Sequence, residues 1–87
     1  MILKIFTQSN CPKCPAAKKL GKEIEKLRNP EIKVEYYDVS TINGLAEASF
    51  YTVLSTPGLI LCDDQGKEIK GWRGETPAFK KIKALLK

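Results

Sequence analysis

The chain has 87 residues, 43% of them hydrophobic, and a net charge of +5 from 15 basic and 10 acidic residues. This composition excludes wholesale disorder and predicts one domain, over residues 1–87, with a packed core. No apolar run approaches the roughly 18 residues that span a bilayer, and the chain begins directly in a predicted strand. We therefore expect neither a membrane segment nor a signal peptide. Three cysteines are too few, and odd in number, for a secreted disulfide scaffold, so we expect a cytoplasmic protein. We also expect it to be a monomer.

The excess of positive charge has two interpretations. A basic domain of this size could bind nucleic acid. The lysines, however, fall on the outward positions of predicted helices, beside glutamates such as Glu23 and Glu25. Several of the aromatic residues fall in predicted core strands and offer no stacking platform. We interpret the charge as solvated helix surface and expect no nucleic-acid partner.

The first two predicted elements are a strand and a helix. Residues 2–7 form a β-branched and apolar run that is typical of a buried strand. Apolar residues then recur at spacings of four, four and three, which predicts one helix face: Ala16, Leu20, Ile24 and Leu27. This helix is expected to stop near Pro30, because the residue before a proline disfavours helical geometry.

A second strand and a second helix follow. Residues 32–39 alternate with period two, which indicates a strand. A helix is predicted at about 43–52, where Leu45, Ala48 and Ser49 share a face with Tyr51 or Thr52.

The last part of the chain predicts a β-hairpin and a third helix. An apolar strand at 59–62 is joined to a strand at 67–73 by a turn that ends in Gly66, where a positive φ is expected. Gly74 ends the second strand, and apolar residues at helical spacing between Ala78 and Leu85 mark the final helix.

This order of elements is β-α-β-α-β-β-α. Strand, helix and strand joined by short connections form a right-handed parallel βαβ unit. A hairpin added to that unit gives a four-stranded mixed sheet with helices on both faces, and this α/β arrangement is the fold we predict.

A cysteine pair, Cys11 and Cys14, falls where the first strand passes into the first helix. Two thiols at this spacing can close a small disulfide ring if the second lies one helical turn beyond the first. At a helix N-terminus, unpaired N–H groups and the positive end of the helix dipole favour a thiolate over a thiol. A CxxC pair beside a βαβ pattern is typical of a redox site.

Over essentially its whole length the chain resembles the small glutaredoxin and thioredoxin-like oxidoreductases. The stretch from Cys11 to Lys18 resembles the glutaredoxin active-site turn, whereas the segments 57–61 and 66–69, together with Gly74, are closer to the second half of thioredoxins. The resemblance implies the thioredoxin fold and a dithiol that reduces protein or small-molecule disulfides. It implies no organic cofactor, because the redox-active Cys11–Cys14 disulfide carries the electrons.

The two cysteines are expected to have different roles. Cys11 comes first in the turn and is predicted to be the more exposed thiol and the attacking nucleophile, whereas Cys14 is the resolving thiol. Pro12 suits an early helix position, where no N–H is needed. Lys13 either adds positive charge that stabilises the Cys11 thiolate or is simply solvated. We assign both intervening residues to substrate binding.

Three further residues are predicted to bind substrate. In the resembled folds the proline that matches Pro57 is cis and lies against the CxxC turn. The preceding residue, Thr56, would present its backbone to a bound peptide in a strand-like way. Gly74 would let the substrate backbone approach closely.

The chain departs from each family at positions that bear on its electron donor. Glutaredoxins usually carry a lysine three positions before the first cysteine, which helps to hold a glutathione carboxylate, and here that position is Gln8. Thioredoxins usually carry a tryptophan before that cysteine and a buried acid six positions before it, where this chain has Asn10 and Ile5. The expected partners are disulfide-containing proteins, with either a thioredoxin-reductase-type flavoprotein or glutathione as electron donor.

Metal binding is the second hypothesis. Cys11 and Cys14 could hold zinc, or Cys11 could bridge a 2Fe–2S cluster across a dimer. Zinc prefers four ligands, however, and the chain has no histidine. Cys62, on a distant predicted strand, is a poor third ligand, and we interpret it as a buried structural residue. We therefore assign no metal ligands.

Overall fold

Residues 1–86 are described by a computed structural model, and they form four strands and three helices in the predicted order. The elements are β1 (Ile2–Thr7), α1 (Cys14–Lys26), β2 (Lys33–Asp38), α2 (Ile42–Phe50), β3 (Gly58–Cys62), β4 (Glu68–Arg73) and α3 (Phe79–Leu85). Within residues 1–86, no helix is long and apolar enough to cross a membrane.

The four strands form one mixed sheet in the order β2-β1-β3-β4. β1 and β2 are parallel, as a βαβ unit requires, and both β1–β3 and β3–β4 are antiparallel. The hairpin turn between β3 and β4 contains Gly66 with a φ of 85°. The predicted four-stranded mixed sheet and the positive φ of Gly66 are therefore confirmed.

One face of the sheet, which we call the α1–α3 side, is covered by helices α1 and α3. From α1 it buries Leu20 and Ile24, as the helical spacing predicts, together with Ala17. The predicted face also included Ala16 and Leu27, which are exposed. Leu27 is exposed because it follows the last residue of α1, Lys26. Ala16 is exposed because the neighbouring Ala17 faces the sheet instead.

The other face, the α2 side, is covered by helix α2. Of the predicted face, Ala48 is buried, and so is Tyr51, which follows the helix. Leu45, Ser49 and Thr52 are exposed, and the helix buries Gly44 instead. Gly44 is required because a Cβ there would overlap the backbone carbonyl of Asp38. Small residues thus bring α2 close to the sheet, and the larger Leu45 points away from it.

A buried cation lies between the sheet and α2. Lys4 of β1 is only 8% exposed, donates a hydrogen bond to Glu47 of α2, and lies 3.9 Å from Glu35 of β2. Its ammonium also lies 5.5 Å from the ring centre of Tyr37 and 4.9 Å from that of Tyr51. Burial opposes the charge, but the hydrogen bond to Glu47 and the electrostatic interactions with Tyr37, Glu47 and Tyr51 outweigh it, so the pKa of Lys4 is above its ordinary value.

Candidate active site

The strand register brings the predicted site segments to one edge of the sheet. Thr7, the last residue of β1, lies opposite Asp38, the last residue of β2. At the same edge Gly58, which opens β3, pairs with Phe6 on one side and with Arg73, the last residue of β4, on the other. The residues that follow β1, precede β3 and follow β4 therefore gather around this edge.

The cysteine pair lies between β1 and α1 as a disulfide. Cys11 and Cys14 are joined across a Cα–Cα distance of 5.4 Å, and the N–H of Cys14 donates to the carbonyl of Cys11 at 3.2 Å. Cys14 is the first residue of α1 and is 3% exposed, whereas Cys11 is partly exposed. The expected difference in exposure between the two thiols is confirmed.

The start of α1 differs from the prediction in one respect. Pro12 lies in the turn before the helix, and Lys13 is the N-cap residue, so the expected early helix position of Pro12 is wrong. Pro15 occupies that position instead, where its missing N–H leaves no helical bond unmade. Lys13 is exposed, caps the helix with no side-chain hydrogen bond, and is followed by no acidic residue in the first turn.

The segment before β3 is the second component of this edge. The Thr56–Pro57 peptide bond is cis, and Pro57 is fully buried while Thr56 is half-buried. The carbonyl of Pro57 accepts a hydrogen bond from the N–H of Gly74 at 2.8 Å. Across residues 1–86, the backbone N–H and C=O of Thr56 take part in no backbone hydrogen bond. These two groups are therefore free to pair with another chain.

Gly74 joins this segment to the end of β4. It has a φ of 83°, a conformation that residues with a Cβ rarely adopt. A Cβ built there would lie 3.0 Å from Oγ of Ser55. Gly74 therefore lets the chain leave β4 close to the segment before β3, and a larger residue would push the two apart.

An ionised carboxylate lies at the end of β2. Asp38 accepts hydrogen bonds from the hydroxyl of Ser40 at 2.6 Å and from its N–H at 2.8 Å. These two bonds, with a smaller contribution from the charge of Lys18, hold the pKa of Asp38 below its ordinary value. Asp38 is thus deprotonated at neutral pH and is unsuited to donate a proton there.

The third cysteine, Cys62, lies at the opposite end of β3 from this edge, where it pairs with Ile2. Cys62 is fully buried on the α2 side of the sheet, in a cluster with Phe6, Tyr51 and Ile60. In the part of the chain that is described, no three His, Cys, Asp or Glu side chains are grouped as a metal site would need.

Comparison with known proteins agrees with this fold. The sequence matches a family model described as a thioredoxin domain over residues 1–87. A thioredoxin from Methanocaldococcus jannaschii is 29% identical over 62 residues, which cover 71% of each protein. An uncharacterized thioredoxin-like protein from Clostridium perfringens, known from a solution structure, shares the fold with a TM-score of 0.82 at 19% identity, over 98% of this chain and 67% of its own. The chain therefore belongs to the thioredoxin-domain family of thiol–disulfide oxidoreductases.

Proposed function

We propose that this protein reduces disulfide bonds in other proteins by means of Cys11 and Cys14. The observation that carries the proposal is the unequal exposure of the two disulfide-bonded cysteines at the start of α1. A substrate disulfide can approach Cys11, whereas Cys14 is shielded from every partner except Cys11. This arrangement suits a reaction in which one thiol attacks and the other completes the exchange.

The reaction proceeds in two exchanges. In the reduced protein, the Cys11 thiolate attacks one sulfur of the substrate disulfide, which forms a mixed disulfide and releases the other substrate sulfur as a thiolate that takes a proton from water. The sulfur of Cys14 then attacks Cys11, and the proton of the Cys14 thiol passes to the departing substrate thiolate. This step releases the second substrate thiol and forms the Cys11–Cys14 disulfide. Two electrons have passed from the protein to the substrate.

The segment before β3 supplies a surface for the substrate chain. Thr56 has a free backbone N–H and C=O, and Pro57 has no N–H that could compete. An extended peptide next to the substrate cysteine can pair with Thr56 as an added antiparallel strand. Gly74 leaves room for the peptide backbone, and Pro12 and Lys13 border the reacting sulfur.

The electron donor that we favour is a thioredoxin-reductase-type flavoprotein rather than glutathione. Gln8 is exposed and carries no charge for a glutathione carboxylate, and Glu75 adds a negative charge next to Gly74. Reduction of insulin coupled to NADPH and a thioredoxin reductase, compared with NADPH, glutathione and its reductase, distinguishes the two donors. Turnover with glutathione only would contradict this choice.

Cysteine variants test the proposed reaction directly. Cys11→Ser removes the attacking thiolate, so insulin reduction should fall to the uncatalysed rate. Cys14→Ser leaves attack intact but prevents resolution, so this variant should accumulate a covalent adduct with the substrate that added dithiothreitol releases. Cys62→Ser is the matched control and should keep most of the activity, although burying a hydroxyl lowers stability.

Non-reducing gels of each variant with oxidised insulin show the pattern. An adduct trapped by Cys11→Ser, or a folded Cys62→Ser variant without activity, would show that the roles are assigned to the wrong thiols.

A further inference from the structure

The C-terminal end of α2 is tied to β4 by one side chain. Arg73 donates from Nη2 to the carbonyl of Tyr51 at 2.7 Å and from Nε to the carbonyl of Thr52 at 3.3 Å. These are the two residues at which the chain leaves α2, and Thr52 has a φ of 56°. Carbonyls at a helix C-terminus lack intrahelical partners, so a guanidinium with several fixed donors is well suited to hold both.

The guanidinium is itself held in place. Arg73 binds both carboxylate oxygens of Glu68, at 2.8 and 3.2 Å. In β4 the register shifts between the pairs Leu61–Lys70 and Cys62–Glu68, so β4 contains one extra residue there. A bulge of this kind changes the alternation of side chains along a strand. Glu68 and Arg73, five positions apart, therefore reach the same side of the sheet.

A glycine beneath the pair leaves the space that it needs. A Cβ at Gly71 would lie 2.6 Å from Oε2 of Glu68 and would press against Nη1 of Arg73. On its sheet side, the same Cβ would lie 3.1 Å from Ile60. The sequence of β4 thus accommodates this ion pair in a defined position.

The hydrogen bonds from Arg73 hold the start of the segment that leads to Pro57. After Thr52, the N–H of Val53 donates to the carbonyl of Ala48 at 2.7 Å, and its side chain packs against Gly58. Leu54, which follows, is 89% exposed, and Ser55 is exposed as well. Residues 54–56 therefore form a short bridge whose direction depends on how its two ends are held.

We propose that Arg73 is a positioning residue for substrate binding. It fixes the start of segment 53–57 from β4, and Gly74, its neighbour in sequence, fixes the end through the bond to Pro57. Two neighbouring residues, Arg73 and Gly74, thus hold both ends of this segment and align the backbone of Thr56 for pairing with a substrate peptide. This inference rests on the proposed function, since it concerns protein disulfides rather than disulfides as such.

The proposal separates protein substrates from small ones. A protein disulfide needs the backbone of Thr56 in the correct place, whereas a small disulfide needs only the Cys11 sulfur. Loosening the bridge should therefore raise the substrate concentration for half-maximal rate with a protein, and should leave the maximal rate and the reaction with a small disulfide almost unchanged.

The test uses single-turnover oxidation of the pre-reduced protein, stopped with acid, against increasing insulin or hydroxyethyl disulfide. For Arg73→Gln and Gly71→Ala we expect the half-saturating insulin concentration to rise about fivefold to tenfold, because small misplacements of a binding group weaken productive complexes. Arg73→Lys keeps the charge but loses the planar guanidinium with its several donors. Its half-saturating insulin concentration should lie between those of these variants and that of the wild type. Rates with hydroxyethyl disulfide should stay within about twofold. Lys70→Gln, an exposed cation on the same strand, is the matched control.

Amide hydrogen exchange at Thr52 and Val53, whose N–H groups donate to the carbonyls of Ser49 and Ala48, gives a second measurement that needs no substrate. Exchange at these two amides should speed up in Arg73→Gln and Gly71→Ala only. The proposal would be overturned if the half-saturating insulin concentration is unchanged in folded Arg73→Gln and Gly71→Ala. It would also be overturned if the rates with insulin and with hydroxyethyl disulfide fall by the same factor. If Arg73→Gln does not fold, Gly71→Ala and Arg73→Lys decide. If the wild type itself fails to reduce insulin, the proposed function is wrong, and hydrogen exchange still decides whether Arg73 fixes this segment.

Discussion

The α1–α3 side of the sheet and the α2 side differ in what they bury. The α1–α3 side packs long apolar side chains from three strands and two helices, and its members include Leu3, Ile5, Leu20, Ile24, Leu59, Leu61 and Ile82. The α2 side is closed by a helix with Gly44 and Ala48 at its contact face, and it contains the ammonium of Lys4. Both sides bury apolar area, and on the α2 side Phe6 and Ile60 contribute to it. The α2 side adds the close approach of a helix and the polar contacts of Lys4.

Charge is divided in a similar way along the chain. Residues 34–66, which include most of β2 and all of α2 and β3, contain no lysine or arginine and five acidic residues. All 15 basic residues lie outside this stretch. Lys4 is a cation that reaches from outside the stretch into it, and Glu47 and Glu35 are the acids that it meets.

The candidate site takes one component from each side. The cysteine pair opens α1, whereas segment 53–57 follows α2 and is held by Arg73. The cysteine pair and the segment before β3 are therefore supported by different packing. Changes on the two sides of the sheet should therefore have different consequences.

The largest expected contrast is in thiol reactivity. The N-cap residue of α1, Lys13, makes no side-chain capping hydrogen bond, and the disulfide joins Cys11 to the first residue of this helix. We expect the pKa of Cys11 in the reduced protein to lie below the ordinary value of about 8.5, which would raise the thiolate fraction at neutral pH. Cys62, fully buried on the α2 side, should not react at all while the protein is folded.

Alkylation by iodoacetamide as a function of pH, in the Cys14→Ser variant, measures this contrast because only Cys11 and Cys62 remain. Mass spectrometry of peptides assigns the label, and the same reaction in denaturant gives the reference for both thiols. An inflection at or above the value of a free thiol, or equal labelling of Cys62 in the folded protein, would contradict the expected difference.

The α1–α3 side and the cysteine pair could be predicted from the sequence because both depend on local patterns. Leu20 and Ile24 follow the helical period, and Cys11 and Cys14 fall between a strand pattern and a helix pattern. The error at Pro12 is also local, because Pro15 is an equally good proline for the first turn and the sequence does not say which of the two precedes the helix.

The α2 side was less predictable because its packing depends on distant backbone. The period of α2 suggests that Leu45 is buried, and only the carbonyl of Asp38 above Gly44 shows why the helix turns its small residues inward. From the sequence alone, Arg73 would be interpreted as an ordinary exposed cation at the end of a strand. Its partners, Tyr51 and Thr52, are 22 and 21 positions away, and no spacing rule connects them.

A second contrast concerns stability. Ile24→Ala removes a side chain that is 1% exposed on the α1–α3 side, and we expect it to lower the free energy of unfolding by about 3 kcal/mol. Leu45→Ala removes a side chain of equal size that is 57% exposed on α2, and we expect a change within about 0.5 kcal/mol. Urea unfolding at neutral pH, followed by circular dichroism, measures both. Similar losses for the two variants would mean that Leu45 contacts the core.

The smallest predicted contrast concerns the buried cation. Glu47→Gln leaves the Lys4 ammonium in place, with its side chain only 10% exposed, but replaces its charged partner with a neutral one. We expect this variant to lose about 1–2 kcal/mol, because a hydrogen bond between charged groups is stronger than one to a neutral amide. Lys4→Met keeps the apolar stem and leaves the Glu47 carboxylate, 33% exposed, in reach of water. It should therefore be tolerated better than Glu47→Gln.

The pH dependence of this pair gives the sharper measurement. The folded-state pKa of Lys4 is raised, so its contribution is complete below the unfolded value of about 10.4 and is lost only as the pH rises through the folded value. The difference in unfolding free energy between wild type and Lys4→Met should thus stay constant from about pH 6 to about pH 9. The double variant completes a thermodynamic cycle, and its coupling energy isolates the pair from the loss of packing. A coupling energy near zero, or a difference that changes sign within this range, would mean that the α2 side is stabilised by apolar packing alone and does not differ in kind from the α1–α3 side.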